Sequence, residues 1–140
     1  MSAEFFIDTN VLVYSFDHEA TEKRTIASVL IGKALSTGNG VISYQVVQEF
    51  LNVSSRKFAV PMKANDQQKY LDTVLMPLCR VFPSIDFYRT GLGICARFGF
   101  SFYDSLIVAG ALQKKCRTLY SEDLQHQQQI EDLTIINPFL

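Results

Sequence analysis

Four acidic residues lie beside or within apolar segments: Asp8, Glu49, Asp104 and Asp123. Asp8 interrupts the apolar opening EFFIDTNVLVY, and Asp123 ends the segment RTLYSED. Carboxylates that share a site repel one another and raise one another's pKa unless a cation lies between them. Ligands that are all oxygen favour a hard ion, Mg²⁺ or Mn²⁺, and such ions typically support phosphate chemistry. If these acids meet in the fold, the sequence predicts a divalent-metal site.

Helical periodicity places two of the acids on apolar faces. Glu49 is the i+3 member of the apolar stripe in SYQVVQEFLNV, and Asp104 stands at the start of the stripe in SFYDSLIVAGAL. An ionised carboxylate in such a position loses solvation, and a nearby cation offsets that loss. Both acids are therefore candidates for a cation site.

Each acid also has a purely structural interpretation. Asp8 suits a turn, and Asp123 suits a solvated loop after a strand. Asp104 falls in the first turn of a predicted helix, where a carboxylate interacts favourably with the helix dipole. An ion pair with an arginine elsewhere in the chain would also account for Glu49. The metal site requires all four acids to come together.

The elements that position these acids follow from alternating strand and helix patterns. Strands are predicted at 5–7, 41–42, 80–82, 117–120 and 134–136, and helices at 19–35, 45–58, 65–77, 86–97 and 101–115. This alternation predicts a single α/β domain over residues 1–140, with a five-stranded parallel sheet and helices on both faces. Sites in such sheets lie beyond the carboxyl ends of the strands. Asp8, Glu122 and Asp123 are expected at that edge.

Composition narrows the class of protein. The chain is 48% hydrophobic and 19% charged with a net charge of −1, so we expect a globular fold without a global basic field for nucleic acid. Three cysteines without CxxC spacing indicate free thiols in the cytoplasm. No apolar run is long enough to cross a membrane, and no signal peptide is recognisable.

Two further motifs carry less weight. IDTN is similar to the opening motif of haloacid-dehalogenase phosphatases, but those enzymes need an aspartate where this chain has Asn10. GLGICA fits a loose dinucleotide-binding pattern, yet it lies inside a predicted helix instead of directly after a strand. His18 and His126 are far apart in polar surroundings, so neither suggests a zinc site.

The segments FIDTNVLVY, the helix around Glu49, FYDSLIVAGAL and LYSEDLQ…INPF, taken in this order, resemble a PIN-domain ribonuclease. The resemblance is greatest to the VapC-type toxins of bacterial type II toxin–antitoxin pairs, and it extends along essentially the whole chain. It implies a PIN-like fold and Mg²⁺- or Mn²⁺-dependent cleavage of single-stranded or looped RNA. It also implies a homodimer, inhibition by a small antitoxin protein, and contact with DNA only through that antitoxin.

The resemblance also assigns roles. Asp8 and Asp104 hold the main metal ion, and Glu49 and Asp123 complete the acidic ring and hold a second ion when RNA arrives. Glu122 rivals Asp123 as the fourth acid, and the polar residues Asn10 and Ser121 orient the metal shell, although Asn10 also suits a simple turn. A metal-activated water is expected to cut the phosphodiester, leaving a 5′-phosphate and a 3′-hydroxyl. The alternative is a catalytically silent PIN-like module that binds RNA or protein.

Contacts with RNA are less well defined by the sequence. The candidates for phosphate binding are the basic residues Arg56, Lys57, Lys63 and Arg97, although a solvated surface is the more usual position for each of them. The candidates for base stacking are the aromatic residues Phe98, Phe100, Phe102 and Tyr103, most of which are expected in the core.

Overall fold

Strands and helices alternate along the chain in the computed structural model, which describes residues 3–140. The strands are β1 (Phe5–Ile7), β2 (Gly40–Ser43), β3 (Cys79–Val81), β4 (Thr118–Tyr120), β5 (Gln129–Ile130) and β6 (Leu133–Ile136). The helices are α1 (Thr9–Tyr14), α2 (Thr21–Thr37), α3 (Tyr44–Arg56), α4 (Ala64–Tyr70), α5 (Met76–Leu78), α6 (Ile85–Phe98) and α7 (Phe102–Gln113). A π-helical turn (Leu71–Leu75) joins α4 to α5.

The strands form one sheet in the order β3-β2-β1-β4-β6-β5, and all neighbours are parallel except β5 and β6. The predicted α/β class with a parallel sheet is confirmed, with six strands where five were expected. The additional strand is the two-residue β5, which forms a hairpin with β6 through a turn where Glu131 has φ 54°. This turn, Glu131-Asp132, lacks the Asn-Gly or Asp-Gly pair that usually signals such a hairpin.

Serine and glycine residues fix the helix ends near the candidate site. Ser43 and Ser101 cap α3 and α7 by accepting from the backbone N–H groups of Val46 and Asp104, at 3.4 and 3.2 Å. Gly99 ends α6 in the left-handed conformation with φ 75°. The two serine caps set where the acid-bearing helices α3 and α7 begin, and Gly99 separates α6 from α7.

One helix differs from expectation. The apolar run after Asp8 forms the short helix α1, and Asp8 is its N-cap residue, accepting from the Thr9 backbone N–H at 2.7 Å. Val11 and Leu12 of this helix are fully buried. Asp8 therefore does have a local structural role, as the residue that caps α1.

The core lies on both sides of the central strands. Phe6, Leu119 and Ile135 are buried within the sheet. Phe50 of α3 is also buried and stacks on Tyr70, with ring centroids 4.8 Å apart. The motif GLGICA lies within α6, where Gly91 faces Leu106 of α7. No single helix of residues 3–140 is long and apolar enough to span a bilayer; α6 and α7 meet those criteria only as a bent pair, and α7 is largely buried.

Gly40 provides a test of this packing. A Cβ at this position would stand 2.3 Å from Cβ of Ala34 and 2.7 Å from Cε2 of Phe5. We expect Gly40→Ala to lower the free energy of unfolding by about 2 kcal/mol, because α2 and the sheet would have to move apart. Chemical denaturation measures the effect.

Gly93→Ala is the matched control, since a Cβ at Gly93 on α6 would meet nothing within 4 Å. That variant is expected to be more stable by about 0.5–1 kcal/mol through helix propensity alone. Equal effects of the two substitutions would contradict the tight contact between α2 and β2.

Candidate active site

The site lies where the order of the sheet reverses. From β1 the chain crosses to β2 and β3 on one side and then returns to β4 on the other side of β1. Ligands of open α/β sheets bind in the crevice at such a switch point. Asp8 follows β1 directly and Ser121 follows β4, and the parallel register pairs Ile7 with Tyr120. The structure therefore brings these two strand ends together.

Asp8 is the buried centre of this group, with 6% of its surface exposed. Ser121 donates its hydroxyl to Oδ2 of Asp8 at 2.7 Å. Burial raises the pKa of Asp8 to about 7, even though the hydrogen bonds from Ser121 and the Thr9 amide oppose that rise. The negative charges of Glu49 and Asp123 are smaller contributions to this raised pKa. Asp8 is thus a carboxylate whose ionised form lacks compensation from protein cations.

Asn10 connects the two strand ends. Its Nδ2 lies 3.3 Å from Oδ2 of Asp8, 3.4 Å from Oγ of Ser121 and 3.2 Å from Oδ2 of Asp123. Its Oδ1 accepts from the backbone N–H of Glu122 at 3.1 Å. An aspartate here would have no N–H to offer the two carboxylates. Asn10 therefore positions the acids from within α1, and the bond to its own backbone expected of a simple turn residue is not formed.

Glu49 reaches the group through a residue that the sequence did not single out. The hydroxyl of Thr9 donates to Oε1 of Glu49 at 2.8 Å, which ties α3 to the first residue of α1. Glu49 is half-buried and lies at the edge of the apolar face of α3. Thr9 was missed because a hydroxyl after Asp8 resembles an ordinary turn residue, and its partner is 40 residues away.

Asp104 is not hydrogen-bonded to any of the other three acids. It is half-buried in the first turn of α7, and within residues 3–140 its carboxylate makes no hydrogen bond or ion pair. The start of α7 is nevertheless held against the start of α3, because Nε2 of Gln45 donates to the Tyr103 carbonyl at 3.2 Å. Gln45 lies one helical turn before Glu49.

Glu122 has a separate set of partners. Lys23 pairs with Oε2 of Glu122 at 2.6 Å, and the Tyr14 hydroxyl donates to Oε1 at 2.6 Å. Burial acts to raise the pKa of Glu122, but the bonds and charge of Lys23 and the bond from Tyr14 outweigh it, so the pKa is lowered. The bond to Glu122 is also the main cause of the raised Tyr14 pKa. Glu122 is already neutralised by protein groups.

The remaining acids are suited to a divalent cation. Only three ion pairs occur among residues 3–140, and none includes Asp8, Glu49, Asp104 or Asp123. The atoms that these four side chains offer to a metal are all carboxylate oxygens, the ligand type that Mg²⁺ prefers. Among residues 3–140, no three His, Cys, Asp or Glu side chains lie close enough together to hold a metal ion by themselves. Mg²⁺ typically takes one or two carboxylates and keeps several waters, so the residues present fit this ion.

Glu49 and Asp123 border a cleft of about 480 Å³ whose walls come from α1, α3 and the segment after β4, whereas Asp8 and Asp104 do not line it. Thr9, Asn10, Glu49 and Asp123 contribute its polar groups. It opens widely to solvent, as a site for a polymer requires. The histidines lie elsewhere: His18 contacts Arg24, and His126 accepts from the Asn137 backbone.

The side chains considered for RNA contact divide into two groups. Phe98 and Phe100 are half-buried and stack on each other, whereas Phe102 and Tyr103 are 40% and 64% exposed. The expectation that most of these aromatic residues belong to the core is therefore wrong for the last two, which lie in the exposed first turn of α7. The basic candidates Arg56, Lys57, Lys63 and Arg97 are all exposed.

The fold is similar to solved structures of bacterial toxin–antitoxin proteins. A toxin–antitoxin complex from Klebsiella pneumoniae matches with a TM-score of 0.65 and 17% identity, covering 98% of both chains. VapBC2 from Rickettsia felis, bound to a DNA fragment from its promoter, matches at 0.60 with 20% identity over 94% of this chain and 96% of that one. VapC20 of Mycobacterium tuberculosis, a sarcin-ricin loop cleaving toxin, matches at 0.58 with 16% identity over 84% and 88%.

The sequence itself places the chain in a family. No curated protein matches it significantly. The sequence pattern of the PIN domain, in contrast, matches residues 5–131, which include Asp8, Glu49, Asp104 and Asp123. The strand order and the position of the acids at the switch point agree with this match. The chain therefore belongs to the PIN domain family.

Proposed function

We propose that this protein is a metal-dependent endoribonuclease of the VapC type and the toxin of a toxin–antitoxin pair that inhibits translation and growth. One observation carries the proposal: carboxylates without protein cations gather around the buried Asp8 at the switch point of the sheet. Membership of the PIN domain family supports nuclease activity. A toxin with this fold from Mycobacterium tuberculosis, described as cleaving the sarcin-ricin loop, supports RNA as the substrate.

In this proposal Asp8 and Asp104 hold Mg²⁺ or Mn²⁺, and Glu49 and Asp123 complete the acidic wall. When bound, the ion lowers the pKa of a water and neutralises charge on the phosphate, which leads to a 5′-phosphate and a 3′-hydroxyl. The chain's own groups provide the positions: Ser121 and Asn10 fix Asp8, and Thr9 orients Glu49. Thr9 and Asn10 thus support acids that face the RNA.

RNA cleavage by the full chain, purified without a partner, tests the proposal. We expect cleavage of structured RNA with Mg²⁺ or Mn²⁺, complete loss in EDTA, and recovery when the ion is restored. Product ends should be 5′-phosphate and 3′-hydroxyl. Full activity in EDTA would contradict the metal scheme. Absence of cleavage under all metal conditions would instead support the silent binding module.

The fourth acid is assigned by comparing two neighbouring substitutions. Glu122 is already paired with Lys23 and Tyr14, whereas Asp123 accepts from Asn10 beside Asp8. We expect Asp123→Asn to lower the cleavage rate by about tenfold or more, and Glu122→Gln to change it by less than about threefold. Single-turnover cleavage in Mg²⁺ measures both. A larger loss for Glu122→Gln would make Glu122 the fourth acid.

The partners are a small antitoxin protein and a second copy of this chain, with DNA reached only through the antitoxin. The toxin–antitoxin complexes of the same fold, one of them bound to promoter DNA, support this assignment. The three free cysteines support a cytoplasmic location. Sedimentation of the isolated chain tests self-association, and a strict monomer at micromolar concentration would contradict the homodimer.

A further inference from the structure

The cleft at Glu49 and Asp123 extends away from the acids between α1 and α3. The two helices are joined near the acids, where the hydroxyl of Thr9 donates to Oε1 of Glu49 at 2.8 Å. The next part of the cleft is lined by Val13 of α1 and by Asn52 and Val53 of α3. Each of these residues lies one helical turn beyond Thr9 or Glu49 on its own helix. We call this part of the cleft the α1–α3 groove.

Asn52 gives the groove a polar group that no other side chain uses. Besides Thr9 and Asn10 near the acids, the cleft is lined by two more side chains with an N–H or O–H group, Tyr14 and Asn52. The first three of these four side chains already donate to carboxylates. Asn52 is exposed, and its side-chain amide makes no hydrogen bond within residues 3–140. Asn52 therefore offers a donor and an acceptor to a ligand in the groove.

Arg56 continues the same face of α3. It lies four residues after Asn52 and seven after Glu49, so the three side chains form one row along the helix. The two turns from Glu49 to Arg56 correspond to about 11 Å along the helix axis. Arg56 is exposed, and none of the ion pairs among residues 3–140 includes it. The row thus leads from the acids to a cation that has no protein anion as a partner.

We infer that the α1–α3 groove holds the RNA strand on one side of the scissile phosphate. Asn52 bonds the sugar–phosphate backbone of the nucleotide next to the acids, and Arg56 pairs with a phosphate further along the strand. The inference rests on the proposed ribonuclease function and adds the path of the substrate to it. RNA suits this groove because the groove is continuous with the acids, and because a protein of net charge −1 needs local cations to bind phosphates.

Binding of a single-stranded oligomer to the full chain tests this path. The probe is a fluorescent oligouridylate of about 12 nucleotides with phosphorothioate linkages, since contacts with the backbone need no particular sequence. Fluorescence anisotropy in Mg²⁺ is recorded over a series of salt concentrations. We expect Asn52→Ala to weaken binding about fivefold, the effect of one hydrogen bond, with the salt dependence unchanged. Arg56→Gln should weaken binding and reduce the slope of log affinity against log salt by about 0.7, the effect of one phosphate contact.

Single-turnover cleavage separates these contacts from the chemical step. Neither side chain contacts the acids, so both variants should need more protein to reach half of the maximal rate, while the maximal rate stays within about twofold of the wild type. A loss in the maximal rate without a loss of affinity would overturn the assignment, because it would show an effect on the acids and none on the path of the strand.

Asn65→Ala and Arg89→Gln are the matched controls. Asn65 is exposed on α4 and Arg89 is exposed on α6, where it pairs with Asp86, and neither lines the cleft. Both are expected to bind the oligouridylate as the wild type does. The path alone would be overturned if the wild type cleaves RNA but does not bind the probe, or if Asn52→Ala and Arg56→Gln keep the wild-type affinity and salt slope. A wild type that binds the probe with the predicted effects of both variants but cleaves no RNA would instead overturn the proposed function.

Discussion

Replacing Asp8 with asparagine is expected to lower the rate of RNA cleavage by at least about 10²-fold while the protein remains folded. Asparagine keeps the size of the side chain and an oxygen that accepts from Ser121 or from the Thr9 amide, so α1 retains its cap. It removes the negative charge at the most buried acid of the cluster. Single-turnover cleavage with saturating protein in Mg²⁺ measures the chemical step without contributions from product release.

Asp132→Asn is the matched control for this substitution. Asp132 lies in the exposed turn between β5 and β6, and it makes no hydrogen bond or ion pair through its carboxylate within the described residues. The control is expected to cleave RNA at the wild-type rate. Equal rates for wild type, Asp8→Asn and Asp132→Asn would rule out Asp8 as a metal ligand.

The second prediction concerns stability in the absence of divalent ions. Burial raises the pKa of Asp8 from 3.8 to about 7 in the folded protein. Between these values the folded chain binds the Asp8 proton more tightly than the unfolded chain does, so the free energy of unfolding falls as the pH rises. We expect a loss on the order of 4 kcal/mol from this group between pH 4 and pH 8 in EDTA, measured by urea denaturation.

The Asp8→Asn variant separates this effect from other titrating groups. Because asparagine does not ionise, its pH profile should lack the loss, and at pH 8 in EDTA it should be more stable than the wild type. Mg²⁺ or Mn²⁺ should raise the stability of the wild type at pH 8 and leave the variant nearly unchanged. Parallel pH profiles for the two proteins would show that Asp8 is ionised without a penalty.

Much of the fold follows from patterns that extend over several residues. Short apolar runs alternating with helical stripes predict the parallel sheet, and Ser43 and Ser101 mark the starts of α3 and α7. The prediction is weaker where an element is short. Helix α1 was not predicted, because β-branched Val11 and Val13 also suit a strand, and only the capping by Asp8 decides in favour of a helix.

The parts of the candidate site that could be predicted are those whose position follows from the order of the strands in the sheet alone. Asp8 and Asp123 follow adjacent strands, so a parallel sheet brings them together whatever the loops do. The roles of Thr9, Tyr14 and Lys23 were not predictable, since each depends on a hydrogen bond to a residue far away in the sequence. The pattern of neighbouring residues in the sequence does not indicate such distant contacts.

The central claim is that the carboxylates around Asp8 hold a divalent cation, and Mn²⁺ binding followed by electron paramagnetic resonance tests it most directly. Free Mn²⁺ gives a sharp signal that diminishes when the ion binds protein. We predict that the full wild-type chain and Asp132→Asn bind Mn²⁺ alike, and that Asp8→Asn binds it at least about tenfold more weakly. A wild-type chain that leaves the Mn²⁺ signal unchanged, or an Asp8→Asn variant that binds Mn²⁺ as the wild type does, would contradict the account.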